Sequence, residues 1–174
     1  MAKPAYLADS VKRATSDVFS MMLGMEVEAL PYRFEAEPEH VSGGILGLIG
    51  FSGAWSATAT VCCTPAMACR IADALFLTPH SAVEDEVLDA VAEMANMIIG
   101  NVKTDLENHL GMMSLSIPTV IYGKNFIKRT LIKDHWVVAP FQAGDEILEV
   151  HICLIPTKTP EEKQHAFNRA FLHV

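Results

Sequence analysis

The sequence predicts one α+β domain, in which an antiparallel-rich sheet of about six strands carries helices packed on one face. The predicted elements follow the order helix, three strands, two helices, three strands. Strands that come in runs, without a helix between each pair, favour antiparallel hairpins over a parallel sheet. Of the 174 residues, 51% are hydrophobic, which is enough to form the core of a domain of this length.

Composition excludes several classes of function. The formal net charge is −8 and the pI is about 5.3. No block of Lys and Arg is present, so we do not expect nucleic-acid binding. No uninterrupted apolar run is long enough to span a membrane. Lys3, Asp9 and Lys12 interrupt any signal-peptide core near the start, and we therefore expect a cytoplasmic protein.

The first half of the chain is predicted to hold two helices and three strands. Thr64 is the expected N-cap of the second helix, with Pro65 at its first position. A glycine-rich segment before it lacks a GK[ST] sequence, which argues against a phosphate-binding loop. The predicted elements are a helix at Tyr6–Leu23 ending at Gly24, a strand at Glu26–Glu35 with an edge or bend at Pro31, a hairpin of His40–Ser52 and Ala54–Cys63 turning at Ser52-Gly53, and a helix at Pro65–Leu77.

The second half is predicted to begin with a long helix and to continue with three strands. Ser81 is the expected cap of the long helix and Gly111 its end. In the last strand Val150 and Ile152 alternate with Glu149 and His151. The predicted ranges are a helix at Ala82–His109 and strands at Ser116–Tyr122, Phe126–Phe141 with a break around Asp134, and Glu146–Ile155. We assign residues 1–159 to one domain and residues 160–174 to a tail with a short helix.

No metal site is predicted from the cysteines and histidines. Cys62, Cys63, Cys69 and Cys153 form no CxxC pair and lie in apolar segments, which favours reduced, buried thiols. None of the seven histidines has the spacing of a zinc motif. A self-contained enzyme with its own metal or nucleophile is therefore weakly supported.

The long helix carries the most informative pattern in the chain. Residues three and four apart are neighbours on a helix, so Asp89, Glu93, Asn96 and Gly100 form one row on its outer face. A carboxylate that can pair with a cation, next to an amide that can orient a water molecule, is suited to assisting hydrolysis. The same row also fits a simple solvated face.

Two further features favour a docking surface over a solvated face. Met94 and Met97 flank the Glu93 and Asn96 pair, and methionine adapts readily to a partner surface. Gly100 destabilises a helix interior by about 1 kcal/mol relative to alanine. Either another molecule approaches closely at Gly100 or a neighbouring element of this chain packs tightly there, and the sequence leaves both explanations open.

The pattern Asp89-x-x-x-Glu93-x-x-Asn96-x-x-x-Gly100-x-x-Lys103 resembles the signature of the CheX/CheC/FliY chemotaxis phosphatases. Pro118 follows Asn96 after 21 residues, one fewer than in that family. The resemblance covers residues 10 to 156 and implies a CheC-like fold. One copy of the Glu-x-x-Asn pair is closer to CheX than to the two-site CheC.

The resemblance implies a phosphatase that removes phosphate from the aspartyl phosphate of a CheY-like response regulator. It implies that Asn96 orients the attacking water and that Glu93 pairs with a lysine of the partner. Asp89, Met94, Met97 and Gly100 would contact the partner. No cofactor of its own is implied, and Mg²⁺ is expected in the receiver site of the partner.

Two other functions stay open at this stage. The first is a non-catalytic module, either a receiver-binding adaptor or a relative of flagellar switch proteins. The second is a stand-alone small-molecule hydrolase, which would need a deep pocket. The resemblance also implies a homodimer, for which the apolar strands Ile45–Phe51 and Val137–Phe141 offer a sheet edge or face.

Overall fold

In a computed structural model, the described residues of the domain form three helices, one eight-stranded antiparallel sheet and a separate pair of strands. The structure describes residues 4–36, 40–41, 44–124, 126–128 and 136–157. The helices are α1 (Pro4–Met22), α2 (Pro65–Phe76) and α3 (Asp85–Leu110). The strands are β1 (Glu28–Ala29), β2 (Arg33–Glu35), β3 (His40–Val41), β4 (Gly44–Gly53), β5 (Trp55–Cys63), β6 (Met113–Leu115), β7 (Thr119–Gly123), β8 (Ile127–Lys128), β9 (Trp136–Ala143) and β10 (Glu146–Pro156).

The sheet has the order β1-β9-β10-β5-β4-β6, with β2 also paired to β9 and β7 also paired to β4. Its centre is made of the long strands β4, β5, β10 and β9, each antiparallel to its neighbour. Strands β3 and β8 form a separate pair. The α+β class with an antiparallel sheet is thus confirmed. The sheet has two more strands than predicted, because the segment around Pro31 forms two short strands and β6 precedes the predicted strand at Ser116.

All three helices cover the same face of the sheet. One core cluster joins buried side chains of the three helices to alternate residues of β4, β5, β9 and β10. Helix α3 comes closest to β4, where a Cβ built on Gly47 would lie 3.0 Å from the Ala95 Cβ. The absence of a side chain at Gly47 therefore sets the depth at which α3 packs.

The opposite face of the sheet is also covered, which the sequence did not indicate. Thr60 and His151 are each 1% exposed on that face. Lys128 of β8 lies over it and donates to the Thr60 hydroxyl at 2.9 Å. The His151 imidazole contacts the Glu149 carboxylate at 2.9 Å, and Glu149 also accepts from Arg33 at 3.0 Å. Hydrogen bonds from His151 and Arg33 lower the pKa of Glu149 to about 2.

Local signals explain most element boundaries. The Thr64 hydroxyl accepts from the Met67 N–H at 3.1 Å, so the predicted N-cap of α2 is confirmed. Gly111 ends α3 with a positive φ of 84°, as predicted. The predicted cap at Ser81 is wrong, because α3 begins after Glu84. Asp134 and the predicted tail helix lie outside the described residues, and the division at residue 159 stays a prediction.

The thiols follow the expectation in part. Cys62, Cys63 and Cys153 are buried, Cys69 is half-buried, and all four are free. Burial raises the pKa of Cys63 to about 12, so this thiol stays protonated.

Within the described part of the chain, no helix has the length and apolar content to cross a bilayer.

Candidate functional site

Helix α3 presents Glu93 and Asn96 outward, one turn apart. The Glu93 side chain is exposed and Asn96 is half-buried. The described residues supply no hydrogen-bond or ion-pair partner to either side chain. The carboxylate and the amide can therefore both bind an outside molecule without breaking an internal contact.

Contacts near both ends of α3 hold the helix in place. Near its end, Arg13 of α1 forms an ion pair with Asp105 at 2.6 Å. At its first turn, the His80 ring contacts Asp73 of α2 at 2.9 Å and Glu86 of α3 at 3.2 Å. The helix therefore serves as a rigid support for the outward row, which positioning chemistry requires.

The predicted partner-contacting residues separate into two groups. Asp89 is exposed on the same row as Glu93, and Met97 is half-buried against the edge of the core. The prediction for Met94 is wrong: its side chain is 0% exposed and belongs to the core cluster. Since α1 packs along that side of α3, Met94 has no access to a partner.

Gly100 faces open space, with one neighbour nearby. A Cβ at this position would meet the Leu115 Cδ1 at 3.8 Å, which is ordinary van der Waals contact. Tight packing within the described part of the chain therefore does not explain the glycine. This favours the other explanation, in which a second molecule approaches the helix there.

Strand β6 and the connection after it form the flank of the site, and the sequence did not reveal this. Leu115 lies against Gly100. Pro118 is half-buried between β6 and β7, and both strands contact α3. Met112 and Ile117, at the two ends of β6, are 87% and 88% exposed. Exposed apolar side chains thus lie on both sides of Leu115, the residue that neighbours Gly100.

Lys103 has an ion-pair partner on its own helix. Its Nζ lies 2.9 Å from the Glu107 Oε2, one turn further along α3. The other Glu107 oxygen accepts from the Met113 N–H at 2.7 Å.

Among the described residues, no cluster of three or more His, Cys, Asp or Glu side chains could hold a metal ion. The chemistry available here is that of an acid and an amide on an exposed helix.

Solved structures of CheX- and CheC-like chemotaxis proteins share the fold of this chain. The chemotaxis protein CheX from Vibrio vulnificus matches with a TM-score of 0.75 at 21% identity, covering 85% of this chain and 98% of that one. A CheC-like superfamily protein from Shewanella sp. PV-4 matches with a TM-score of 0.77 at 20% identity, covering 88% and 99%. The CheX of the CheX–CheY–BeF₃–Mg²⁺ complex from Borrelia burgdorferi matches with a TM-score of 0.63 at 23% identity, covering 84% and 96%.

The sequence profile of the family described as chemotaxis phosphatase CheX matches residues 45–142, more than half of the chain. This protein belongs to the CheX family of chemotaxis phosphatases. The matched region includes α3 with Glu93 and Asn96, and β6 on its flank. No curated protein sequence matches the chain.

Proposed function

We propose that this protein accelerates hydrolysis of the aspartyl phosphate on a CheY-like response regulator. The observation that carries this proposal is the pair of Glu93 and Asn96, whose side chains have no partner among the described residues, on a helix held near both ends. Family membership supports the reaction class, and the Borrelia burgdorferi CheX complexed with CheY supports the partner class.

In this proposal Asn96 enters the receiver site and orients one water molecule. The water attacks phosphorus, the bond from phosphorus to the aspartyl oxygen breaks, and the receiver carboxylate and inorganic phosphate are released. An amide has no useful basicity, so Asn96 acts by holding the water in line, as a positioned polar group does in other phosphoryl transfers. Mg²⁺ belongs to the receiver and stabilises charge on the phosphoryl oxygens.

Glu93 contributes to binding of the receiver and to the orientation of Asn96 in the complex. Its carboxylate, one turn from Asn96, would form an ion pair with a lysine of the receiver, and this contact fixes the direction in which the amide points. Asp89 adds negative charge to the same face.

Self-association as a homodimer remains a prediction from the sequence, as does a cytoplasmic location.

Replacing Asn96 tests the proposal directly. We expect Asn96→Ala to fold and to bind the receiver, but to lose about 10²–10³-fold in the rate of phosphate release, as other enzymes do when one positioned polar group is removed. The measurement is loss of label from a radiolabelled, phosphorylated CheY-type receiver.

Asn101→Ala is the matched control, because Asn101 is an exposed asparagine of the same helix outside the row. It should release phosphate at the wild-type rate. If Asn96→Ala is as fast as wild type, Asn96 does not position the water. If the wild-type protein binds the receiver without shortening the lifetime of its phosphate, the adaptor function is correct instead.

A further inference from the structure

Glu107 connects the end of α3 to the start of β6. The Glu107 Oε1 accepts from the Met113 N–H at 2.7 Å, and its Oε2 pairs with the Lys103 Nζ at 2.9 Å. The Glu107 carbonyl accepts from the Gly111 N–H at 3.2 Å. The Met113 N–H, followed by Lys103, lowers the pKa of Glu107. Glu107 thus ties the start of β6 to the helix, in addition to the pairing of Met113 with Gly53 of β4.

The far end of the same segment is fixed as well. The Ser116 N–H donates to the Gly50 carbonyl, and the Gly50 N–H donates to the Ser116 hydroxyl, both at 2.9 Å. At the near end, a Cβ on Gly53 would lie 2.5 Å from the Met112 carbonyl oxygen, so β4 and this turn are in close contact. The segment Met112–Ile117 therefore has a defined position beside α3.

This fixed segment exposes two large apolar side chains next to the row on α3. Met112 and Ile117 are almost fully exposed, whereas Leu115 between them packs toward Gly100. Single exposed apolar residues are common. Here they lie on either side of Leu115, which neighbours Gly100, one turn beyond Asn96, so a receiver docked over Asn96 and Gly100 would also meet this segment.

We propose that Glu107 is a positioning residue for receiver recognition. It contacts no reacting atom; it ties the start of the Met112–Ile117 segment to α3, and together with the Ser116–Gly50 hydrogen bonds at the far end it holds Ile117 where it meets the docked receiver. This inference rests on the proposed function for its partner, and it assigns the partner a second, apolar contact beyond the polar pair on α3. Lys103 acts with it by orienting the Glu107 carboxylate.

The test compares two substitutions at Glu107 in the receiver-dephosphorylation assay. Glu107→Ala removes both contacts, and we expect KM for the phosphorylated receiver to rise about tenfold with kcat unchanged, because the start of the apolar segment is no longer tied to α3. Glu107→Gln keeps an acceptor for the Met113 N–H, and we expect its KM to stay within about twofold of wild type.

Arg70→Ala is the matched control, because it removes a side chain of α2 that donates to the Ala143 carbonyl of β9 and does not hold β6. A role of Glu107 in overall folding alone would make Glu107→Ala resemble Arg70→Ala, with a lower melting temperature and the wild-type KM. That result would overturn the assignment, and so would failure of Glu107→Gln to restore KM.

A second pair of variants tests the exposed apolar surface at Ile117 and leaves Glu107 unchanged. Ile117→Ser should raise KM, and should weaken binding of a beryllofluoride-treated receiver several-fold, whereas Ile147→Ser on β10 should leave both unchanged. If wild type binds that receiver and Ile117→Ser binds equally well, the inference fails while the proposed function stands. If wild type binds but releases no phosphate, the proposed function fails, and the binding comparison still decides the inference. If wild type binds no receiver, both fall.

Discussion

At the scale of single residues, the contrast between Glu93 and its neighbour Met94 shows what a helical pattern can and cannot predict. Glu93 is exposed, as its position on the outer row requires, whereas Met94 is 0% exposed. The pattern of one helix places Met94 near the border of its apolar face. Only the packing of α1 beside α3 decides that this border is buried. Site residues at the centre of a face can thus be predicted from the sequence, but those at its edges cannot.

The charge of Glu93 can be tested separately from its shape. Glu93→Gln keeps the size of the side chain but removes the ion pair with the receiver lysine, so we expect KM to rise about tenfold while kcat changes little. The measurement is KM at low and at high salt. Because salt screens an ion pair, the difference between wild type and variant should shrink as salt rises.

Asp17→Asn serves as the control for Glu93→Gln, because Asp17 is an exposed acid on α1. It removes the same formal charge from another helix, and it should leave KM near that of wild type. Equal salt dependence of KM in wild type and Glu93→Gln would exclude an ion pair at Glu93.

At the scale of elements, the sequence places the helices and strands well and their boundaries less well. Local chemistry determines the N-cap of α2 at Thr64 and the end of α3 at Gly111, and both were predictable. The start of α3 depends on a tertiary contact. His80 reaches Asp73 and Glu86, so the chain before Glu84 forms a bridge between two helices and not the first turn of α3. No local pattern around Ser81 encodes that bridge.

Gly100 offers a prediction in which stability and activity change in opposite directions. Since a Cβ there would lie 3.8 Å from the Leu115 side chain, Gly100→Ala fits without strain. Alanine in a helix interior is favoured over glycine by roughly 0.5–1 kcal/mol, so the free energy of unfolding should rise by that amount. If the receiver approaches over this position, phosphate release should slow.

Urea unfolding and the phosphate-release assay on the same preparation check both parts of this prediction. Gly47→Ala is the contrasting variant, because its Cβ would lie 3.0 Å from the Ala95 Cβ and should destabilise the fold by about 1–3 kcal/mol. Higher stability with unchanged activity in Gly100→Ala would remove Gly100 from the docking surface.

At the scale of the whole molecule, the sheet is buried on both faces, and this could not be predicted from strand alternation. Glu149 and His151 alternate with apolar residues on β10, a pattern typical of a strand with one solvent-exposed face. The structure buries His151 all the same, because Lys128 of β8 lies over that face and the polar groups satisfy one another. Such coverage depends on residues that are distant in sequence, so alternation alone cannot reveal it.

The connection between α2 and α3 makes the stability of the whole molecule depend on pH. Hydrogen bonds from the His80 ring to Asp73 and then Glu86 raise the pKa of His80 above its ordinary value of 6.5. A histidine whose pKa is higher in the folded than in the unfolded chain favours folding while it is protonated. This contribution is complete below pH 6.5 and disappears as the pH rises through the folded-state pKa.

We therefore expect the free energy of unfolding to fall as the pH rises above 6.5 and through the folded-state pKa of His80, and to fall less in His80→Gln, which cannot be protonated. Urea unfolding at a series of pH values measures this dependence. Asp73→Asn removes the carboxylate that contributes most to the raised pKa of His80, and it should flatten the same part of the profile. An unchanged profile in both variants would show that the bridge is already neutral in the folded protein and that the position of α3 does not depend on its charge.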